Sequence, residues 1–469
     1  MTRPPRAKPA VREHLCKGCG RCIEACPQHC ITVGHDTNQE SGLIPVHIDL
    51  GACNGCGICL SACPEPFGLS TEDYELQDPR HLFGARQRGT TPAPAVPSVE
   101  VALPACEPMV LKGNYAAAIG ALLAGCRHVF GYPITPSTEG AEFLAKVLPE
   151  LDGVFLQAVS EVATVNHMYG CGGAGLPCIT FTSSPGFSLM LEGISYMIGA
   201  EIPAVFVNVM RGGPGLGNIG PEQADIKLLC RGLGHGNTHA VVLAPATPQE
   251  MLDLTREAFR IAFEYRNPVM IAADGYLGQM TGKVRLPVTM TRPGLPDWSV
   301  WGDAGHRHNL HTSIYLNEAD LEHHNQHLEQ KYAAMIDREQ RANQFRTADA
   351  SVLIIACNTP ARMAKGAVAV LRDEGIAAGL FHPVTLWPFP IRSLQPLLGQ
   401  VTDIVVVEAS SGQLEDELRL ALSRAGVNGK ANGRPAHDVR IHRVQRMGGI
   451  LPQEREIADA VRAVVRRVA

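Results

Sequence analysis

Residues 16–27 read CKGCGRCIEACP and residues 53–64 read CNGCGICLSACP, so one cysteine pattern occurs twice near the start of the chain. Each run has three cysteines spaced by two residues, then a fourth cysteine that follows three further residues and precedes a proline. In such a run the first three thiolates can bind three irons of one cubane, whereas the fourth reaches a second cubane. The repeat therefore predicts two 4Fe-4S clusters whose ligands cross between the runs.

This crossover gives two sets of four ligands. The first set is Cys16, Cys19, Cys22 and Cys63, and the second set is Cys53, Cys56, Cys59 and Cys26. Paired zinc sites are the alternative, but zinc sites rarely show two four-cysteine runs that each end in Cys-Pro. A ninth cysteine, Cys30, lies outside the pattern and is interpreted as a buried packing residue. Two clusters in one small module indicate an electron conduit, namely a bacterial-type dicluster ferredoxin of α+β fold over residues 1–76.

Length and composition limit what the rest of the chain can be. A chain of 469 residues is too long for one ordinary core, so we expect two to four domains. The formal net charge of −5 offers no overall attraction to nucleic acid or to acidic membranes, and we expect neither as a partner. We also expect a cytoplasmic location, because no apolar stretch approaches the roughly 20 residues of a membrane helix and the N-terminus lacks the apolar run of a secretory signal.

The composition and hydrophobic pattern of the sequence change several times after the cysteine runs. Residues 77–107 are rich in proline and predict a semi-rigid linker. Residues 108–284 alternate apolar runs with amphipathic stretches, which predicts a parallel sheet covered by helices on both faces. Residues 285–348 read as a connecting segment with a polar helix from 318 to 345, and residues 349–469 read as a second α/β domain.

Ten apolar runs read as strands, and three Thr-Pro pairs read as helix starts. Thr247 and Pro248, followed by Glu250, predict one start; Thr135 with Pro136 and Thr359 with Pro360 predict two more. The predicted strands are residues 127–132, 154–158, 178–183, 204–210, 240–244, 268–273, 352–357, 377–382, 404–408 and 439–444.

The large domain resembles the alpha, pyrimidine-binding subunit of the 2-oxoacid:ferredoxin oxidoreductases. Residues 385–390 (TLWPFP) and 408–413 resemble that family's transketolase C-terminal-like domain, while residues 211–219 and 274–280 (DGYLGQM) look most like its 3-methyl-2-oxobutanoate (ketoisovalerate) type. The resemblance implies an α/β multidomain chain in which a doubly wound, thiamine diphosphate-binding sheet of the pyrimidine type precedes the C-terminal-like domain. The stretches that carry it in the large domain are residues 131–139 (GYPITPSTE), 160–161 (SE), 183–189 (SSPGFSL) and 211–215 (RGGPG).

By this resemblance, three residues are catalytic. Glu161 would hydrogen-bond N1′ of the thiamine aminopyrimidine and hold a proton there, and Arg211 and Thr135 would bind the carboxylate of the substrate. All three follow predicted strands, and ligands bind at the carboxyl ends of strands in open α/β sheets. The residues expected to bind the cofactor are Glu161, Tyr132, Pro133, Ile134 and Ser184. Simpler roles remain open: a carboxylate at a helix N-terminus for Glu161, a surface salt bridge for Arg211 and an N-cap for Thr135.

The resemblance also implies that the chain holds only half of the thiamine site. The family's diphosphate and Mg²⁺ site is a Gly-Asp-Gly run with paired asparagines farther on, and this combination is missing: Asp274-Gly275 follows Ala273. We therefore expect a beta subunit that holds the diphosphate and Mg²⁺, a gamma subunit, CoA as co-substrate, and an external ferredoxin or flavoprotein as electron acceptor.

The function implied is oxidative decarboxylation of a branched-chain 2-oxoacid to acyl-CoA and CO₂. Phenylglyoxylate and 2-oxoglutarate are alternative substrates of the same chemistry. An alternative of another class is a non-catalytic electron-transfer and assembly subunit whose large domain has lost its activity.

Overall fold

The computed structural model describes residues 7–39, 42–64, 68–71, 98–426 and 439–468. The chain divides into two compact units, residues 1–91 and 92–469. Among the described residues, no helix is both long enough and apolar enough to cross a bilayer.

The smaller unit consists of two short antiparallel ladders and two short helices. Strand β1 (Ala10–Val11) pairs with β4 (Leu69–Ser70), and β2 (Ile31–Val33) pairs with β3 (Val46–Ile48). Each helix, α1 (Arg21–Ala25) or α2 (Ile58–Ala62), contains the third cysteine of a run and ends at the fourth. The apolar core around these cysteines is formed by Ile31, Val46, Ile48 and Leu69. The predicted α+β module is confirmed.

The first part of the larger unit is built on a seven-stranded sheet in the order β18-β11-β12-β10-β9-β7-β8. All neighbours are parallel except the pair of β11 and β18. The central strand β10 is buried along its whole length, as its sequence AVFVNVM predicts for a strand covered on both faces. All six strands predicted here are present: β7 (His128–Gly131), β8 (Val154–Gln157), β9 (Cys178–Thr182), β10 (Ala204–Met210), β11 (Val241–Leu243) and β12 (Pro268–Asp274).

Helices connect these strands. The longest begins after Thr247, whose hydroxyl accepts a hydrogen bond from the Glu250 N–H at 3.1 Å, so this predicted start is confirmed. Gly120 lets two helices approach closely, because a Cβ at this position would contact the carbonyl of Leu252. The helices are α3 (Gly113–Leu123), α4 (Thr138–Val147), α5 (Glu161–Gly173), α6 (Ser184–Leu189), α7 (Leu191–Gly199), α8 (Ile226–Arg231), α9 (Pro248–Tyr265) and α10 (Gly275–Gln279), with a 3₁₀ turn at Leu148–Leu151.

The second part of the larger unit carries a five-stranded sheet in the order β15-β17-β16-β19-β20. The four strands predicted here are confirmed. The helix expected to open at Thr359 and Pro360 is present, but it begins at Asn358 with Cys357 as its N-cap, so Thr359 does not cap it. The strands are β15 (Ala342–Phe345), β16 (Val352–Ile355), β17 (Ala378–Pro383), β19 (Asp403–Glu408) and β20 (Arg440–Gln445). The helices are α11 (Glu318–Arg338), α12 (Asn358–Asp373), α13 (Ile391–Leu394), α14 (Gln413–Arg424) and α15 (Glu454–Val468), with a 3₁₀ turn at Gln395–Gly399.

Four further strands were not predicted from the sequence. In the predicted linker, residues 77–97 lie outside the described residues, but β5 (Val99–Ala102) pairs with β14 (Thr289–Arg292). Strand β6 (Met109–Lys112) pairs with β13 (Thr281–Val284). These partners are far apart in sequence, so proline content and local periodicity carried no signal for them.

Two further features also differ from the prediction. The polar helix ends at Arg338 rather than at 345, because the chain then becomes edge strand β15, antiparallel to β17. Strand β18 (Thr385–Trp387), although it lies in the predicted C-terminal domain, completes the first sheet beside β11. The second part of the larger unit therefore contributes one strand, β18, to the first sheet.

Candidate functional site

The cysteines of the smaller unit surround two separate small cavities. Cys16, Cys19, Cys22 and Cys63 line one cavity, and Cys53, Cys56, Cys59 and Cys26 line the other. None of these thiols forms a disulfide. The grouping matches the two ligand sets expected from the crossover, with each fourth cysteine facing the cavity of the other run.

The loops around these cavities suit an iron–sulfur cluster. Gly18 and Gly55 have φ angles of 61° and 69°, in the left-handed region where a side chain is unfavourable. Backbone N–H groups point at ligand sulfurs: Val46 donates to Cys16 Sγ and Gly55 donates to Cys53 Sγ, both at 3.4 Å. Among the described residues, no group of His, Cys, Asp or Glu is close enough together to hold a single metal ion. Four cysteines line each cavity, which is the number of ligands that a 4Fe-4S cubane takes.

Cys30 is buried, as expected, but it does more than pack. It lines the second cavity, and its sulfur lies 3.4 Å from Cys26 Sγ. A thiol in this position can donate a weak hydrogen bond to a ligand sulfur.

In the larger unit, the residues expected to be catalytic lie at the carboxyl edge of the first sheet. The 132–137 loop follows β7, Glu161 begins α5 after β8, and Arg211 directly follows β10. Since these strands are parallel and β7 and β8 are neighbours, their carboxyl ends meet at one edge.

Arg211 joins two of the predicted residues. Its guanidinium donates to the Thr135 carbonyl at 2.8 Å and to the Leu216 carbonyl at 3.1 Å, while its backbone N–H donates to Ser184 Oγ at 3.1 Å. The Arg211 side chain is buried, and its Nε has no partner. Within the described part of the chain no carboxylate forms a salt bridge with it. A buried guanidinium with an unused donor and no counter-charge fits an anion such as a carboxylate.

Glu161 is buried at the first position of α5 and is not needed to cap the helix. Ser160 is the N-cap, and its hydroxyl accepts from the Ala163 N–H at 3.2 Å. The Glu161 carboxylate forms no hydrogen bond with any described residue and lies over Gly186, where a Cβ would be 2.5 Å from Oε1. A buried carboxylate without a donor is costly, so this position fits an N–H donor that comes from a ligand, as the N1′-protonated form of an aminopyrimidine would supply.

The expected helix start at Pro136 is wrong. The helix begins at Thr138, and Thr135 does not cap it. Instead residues 134–137 form a turn in which Ser137 donates to the Ile134 carbonyl through its N–H at 3.1 Å and its hydroxyl at 2.8 Å. Thr135 is exposed, as are Tyr132 and Pro133, so this loop presents its side chains at the surface of the edge.

A polar cluster that the sequence did not reveal holds this turn. Asn114 and Gln279 both donate to the Pro136 carbonyl, at 2.8 and 3.2 Å, and both donate to the Glu139 carboxylate. Burial pushes the pKa of Glu139 up, but the hydrogen bonds from Gln279 and Asn114 and the charge of Lys112 hold it below its usual value. These residues come from four elements (β6, α3, α4 and α10), which is why no local motif marks them.

A second buried cluster positions Ser184. Its hydroxyl donates to Asp225 Oδ2 at 2.6 Å, and Asn208 donates to the same oxygen at 2.9 Å. Burial raises the pKa of Asp225, although the Ser184 and Asn208 hydrogen bonds oppose this. Ser184 thus ties the start of α6 to the backbone of Arg211 and does not face solvent freely.

The glycine-rich loop after Arg211 is tied to the second part of the unit. Glu222 Oε2 accepts from the N–H groups of Gly213 and Gly448 at 3.2 and 3.1 Å, and Asn218 donates to the Gly448 carbonyl at 3.0 Å. This link holds the loop that supplies the Leu216 carbonyl to Arg211.

Three family models match the chain. Residues 15–66 match a 4Fe-4S dicluster domain, residues 119–346 match the thiamine diphosphate-binding domain of pyruvate flavodoxin/ferredoxin oxidoreductases, and residues 350–457 match core domain II of pyruvate:ferredoxin oxidoreductases. The chain thus combines an iron–sulfur domain with a thiamine diphosphate-binding fold, as an oxidoreductase subunit of this class would.

Individual relatives agree. Over 357 residues the chain is 43% identical to the ketoisovalerate oxidoreductase subunit VorB of Methanothermobacter marburgensis, covering 76% of this chain and 97% of that protein. It is 37% identical to the 2-oxoglutarate synthase subunit KorA of Archaeoglobus fulgidus, covering 66% and 90%. The chain belongs to the 2-oxoacid:ferredoxin oxidoreductase family, whose members found here are subunits of larger enzymes.

A solved structure shares the fold. The 2-oxoglutarate:ferredoxin oxidoreductase from Magnetococcus marinus superposes with a TM-score of 0.65 at 24% identity, covering 76% of this chain and 65% of that one. The family and fold predicted from the sequence are confirmed.

Proposed function

We propose that this chain supplies the pyrimidine-binding half of the thiamine site, and the two outgoing iron–sulfur clusters, of a CoA-dependent oxidoreductase for branched-chain 2-oxoacids. The reaction converts a 2-oxoacid and CoA to acyl-CoA, CO₂, one proton and two electrons. Thiamine diphosphate, when bound, supplies the nucleophilic carbon and the electron sink for the decarboxylation. The residues of this chain bind and orient the cofactor ring and the substrate, and they hold a proton at the ring.

The observation that carries the proposal is the buried Glu161 carboxylate without a protein donor. In this position Glu161 would hold a proton at N1′ of the aminopyrimidine, which favours the 4′-imino tautomer that can act as a base. The catalytic set is then Glu161, Arg211 and Thr135, with Tyr132, Pro133, Ile134 and Ser184 around the cofactor.

Arg211 binds the substrate carboxylate. Two carbonyls fix its guanidinium from one side, which leaves further N–H groups for an anion. Burying a cation without a counter-charge has a desolvation cost, and a bound carboxylate would offset this cost for Arg211.

A partner subunit completes the site. Large apolar side chains are exposed at the same edge: Val159 is 88% exposed, Leu189 54% and Leu216 79%. Exposed apolar groups that surround a polar site are typical of a protein interface. We assign the diphosphate and Mg²⁺ to this partner, a beta subunit, because both oxygens of Asp274 accept hydrogen bonds within the chain, from Tyr276, Leu277 and Thr359. A gamma subunit and an external ferredoxin or flavoprotein complete the proposed set of partners.

The branched-chain substrate is supported by the greater identity to the ketoisovalerate relative, 43% against 37% for the 2-oxoglutarate relative. Viologen reduction by the native complex, supplied with CoA and a panel of 2-oxoacids, tests this choice. A complex that prefers 2-oxoglutarate or phenylglyoxylate would overturn it.

The Glu161→Gln variant tests the function itself. We expect it to lose thiamine-dependent turnover. Its iron content should stay at about eight iron atoms per chain, the content of two 4Fe-4S clusters. The same change at Glu142, which is exposed on α4, serves as the control and keeps full activity. If Glu161→Gln is as active as the control variant, the chain is instead an electron-transfer and assembly subunit.

A further inference from the structure

Thr182, the last residue of β9, has a buried hydroxyl group without a hydrogen-bond partner. The residue is fully buried, and its Oγ1 forms no hydrogen bond with any described residue. All five residues of β9 are buried, so the strand is covered on both faces. Valine has nearly the shape of threonine and would fill this position without the cost of an unpaired polar group. The hydroxyl group therefore indicates a polar role for Thr182.

The Thr182 side chain lies on the same side of the sheet as the Glu161 carboxylate. Side chains alternate along a strand, and Phe181 points to the opposite face, where a Cβ on Gly140 would be 2.5 Å from its ring. On the Thr182 face, a Cβ on Gly186 would be 2.6 Å from Thr182 Oγ1 and 2.5 Å from Glu161 Oε1. The two oxygens therefore border the same small space above Gly186.

A second acceptor lies beside Thr182. Asn208 is its direct neighbour across the sheet, since the register of β9 and β10 pairs the two residues. The Asn208 amide nitrogen donates to Asp225 at 2.9 Å, while its amide oxygen has no partner among the described residues. A hydroxyl group carries one proton, so Thr182 can donate to Asn208 or to Glu161 but not to both. A hydrogen bond to an ionised carboxylate is about twice as strong as one to a neutral oxygen, which favours Glu161.

The two serines that follow Thr182 do not share this geometry. Ser184 Oγ already donates to Asp225 Oδ2 at 2.6 Å. Ser183 has an unpartnered hydroxyl, but it follows Thr182 in extended backbone, so its side chain points to the opposite side. Among the hydroxyl groups of residues 182–184, that of Thr182 is the one that faces Glu161.

We propose that Thr182 is a positioning residue for the thiamine site: its hydroxyl donates to Glu161 Oε1 and leaves Oε2 for N1′ of the aminopyrimidine. This hydrogen bond fixes one oxygen of the carboxylate and stabilises the charged form of a buried group. A carboxylate held in this way can keep a proton at the ring, which is the role proposed for Glu161. Thr182 acts only through Glu161, so its assignment rests on the proposed function of that residue.

Thr180 provides a matched control on the same strand. It is fully buried, its Oγ1 also has no partner among the described residues, and it lies on the same face of β9 as Thr182. It is about 7 Å farther from the carboxyl edge, the length of two strand residues. Thr180→Val therefore removes the same hydroxyl group from the same face at a distance from Glu161.

Two substitutions at position 182 separate the hydroxyl group from the shape of the side chain. Thr182→Val keeps the shape and removes the donor, whereas Thr182→Ser keeps the donor and removes a methyl group. In the complete complex, we expect Thr182→Val to lower kcat for 2-oxoacid-dependent viologen reduction roughly tenfold to a hundredfold, the size expected for the loss of a hydrogen bond to a charged group. The KM for the 2-oxoacid should not change, because Thr182 does not contact the substrate. Thr182→Ser should recover most of the activity, and Thr180→Val should be as active as the parent.

Two further measurements do not depend on turnover. Replacing an unpaired buried hydroxyl by a methyl group is stabilising, so without thiamine diphosphate both valine variants should have a higher apparent melting temperature than the parent. Added thiamine diphosphate should raise the melting temperature of Thr180→Val as much as that of the parent, and that of Thr182→Val by less. Near-ultraviolet circular dichroism distinguishes the amino and imino forms of the bound cofactor, and it should show less of the imino form in Thr182→Val alone.

The activities of the variants identify the group responsible. Parental kcat in Thr182→Val overturns the proposal. An equal loss in Thr182→Val and Thr182→Ser, or in Thr182→Val and Thr180→Val, also overturns it, because either pattern indicates packing and not a hydrogen bond to Glu161.

The Glu161→Gln variant keeps this proposal distinct from the proposed function. If Glu161→Gln is inactive while Thr182→Val is fully active, only the role of Thr182 is wrong. A fully active Glu161→Gln variant contradicts the proposed function itself, and the role of Thr182 with it.

Discussion

The space above Gly186 predicts that a single methyl group will disable the thiamine site. In Gly186→Ala the new Cβ would lie 2.5 Å from Glu161 Oε1, 2.6 Å from Thr182 Oγ1 and 3.0 Å from Glu161 Cγ. To restore an ordinary contact of 3.4 Å, the carboxylate has to move by about 0.9 Å, because the repulsion rises steeply at shorter distance.

The magnitude follows from this displacement. Misplacing a catalytic group by about 1 Å costs on the order of 100-fold in rate, so we expect thiamine-dependent turnover to fall by roughly that factor. Overpacking a buried site costs about 1–3 kcal/mol in stability, which the folded subunit can tolerate. Iron content and dithionite reduction of the clusters should not change.

Gly170→Ala is the matched control. Gly170 lies on α5, the helix that Glu161 begins, and a Cβ there would meet nothing within 4 Å. Alanine in a helix interior is more favourable than glycine by about 0.5–1 kcal/mol, so this variant should be fully active and slightly more stable. The assay is 2-oxoacid-dependent viologen reduction with saturating thiamine diphosphate. If Gly186→Ala turns over as fast as Gly170→Ala, the Glu161 carboxylate does not act where the structure places it.

Two further substitutions test other parts of the molecule. Arg211→Lys should lower kcat/KM for the 2-oxoacid by roughly 10- to 150-fold, because a hydrogen bond to a charged group contributes about 1.5–3 kcal/mol and lysine lacks the guanidinium fork. Steady-state kinetics measures this effect, with unchanged iron content as the control. An unchanged kcat/KM would exclude a contact between Arg211 and the substrate carboxylate. Asp403→Asn removes the negative charge and one of the two acceptor oxygens that face Arg440 and His442, whose hydrogen bonds at 2.7–2.8 Å hold the pKa of Asp403 well below its usual range. Because the folded-state pKa of Asp403 is depressed, its stabilising effect is present above about pH 4 and is lost as the pH falls. The apparent melting temperature of the variant should therefore be lower than that of the parent at pH 7 and approach it in acid. An equal difference in melting temperature at both pH values would contradict the electrostatic explanation.

The parts of the fold that could be predicted are those with a local signal. Strand β10 is a run of seven buried residues, and the start of α9 is marked by Thr247, Pro248 and Glu250, so each is recognisable within a few residues. The cysteine runs are equally local, because the spacing itself reflects the shape of a cubane.

The parts that were missed depend on distant partners. Strand β18 was not predicted, and its residues were placed in the C-terminal domain, because its pairing with β11 joins residues more than 140 positions apart. The turn at Pro136 looked like a helix start, yet its carbonyl is held by Asn114 and Gln279 from other elements. In both cases the deciding hydrogen bonds are tertiary, so no sequence window contains both partners.

The same distinction explains what the sequence could say about the site. The family resemblance pointed to Glu161 and Arg211, and both follow predicted strands. The groups that hold Arg211, however, are mainly the carbonyls of Thr135 and Leu216, which any residue could supply. Because these carbonyls orient the guanidinium without neutralising it, its charge stays available, whereas a carboxylate in their place would compete with the substrate. In the role proposed for Arg211, its attraction to the substrate would be lost when the carboxylate leaves as neutral CO₂.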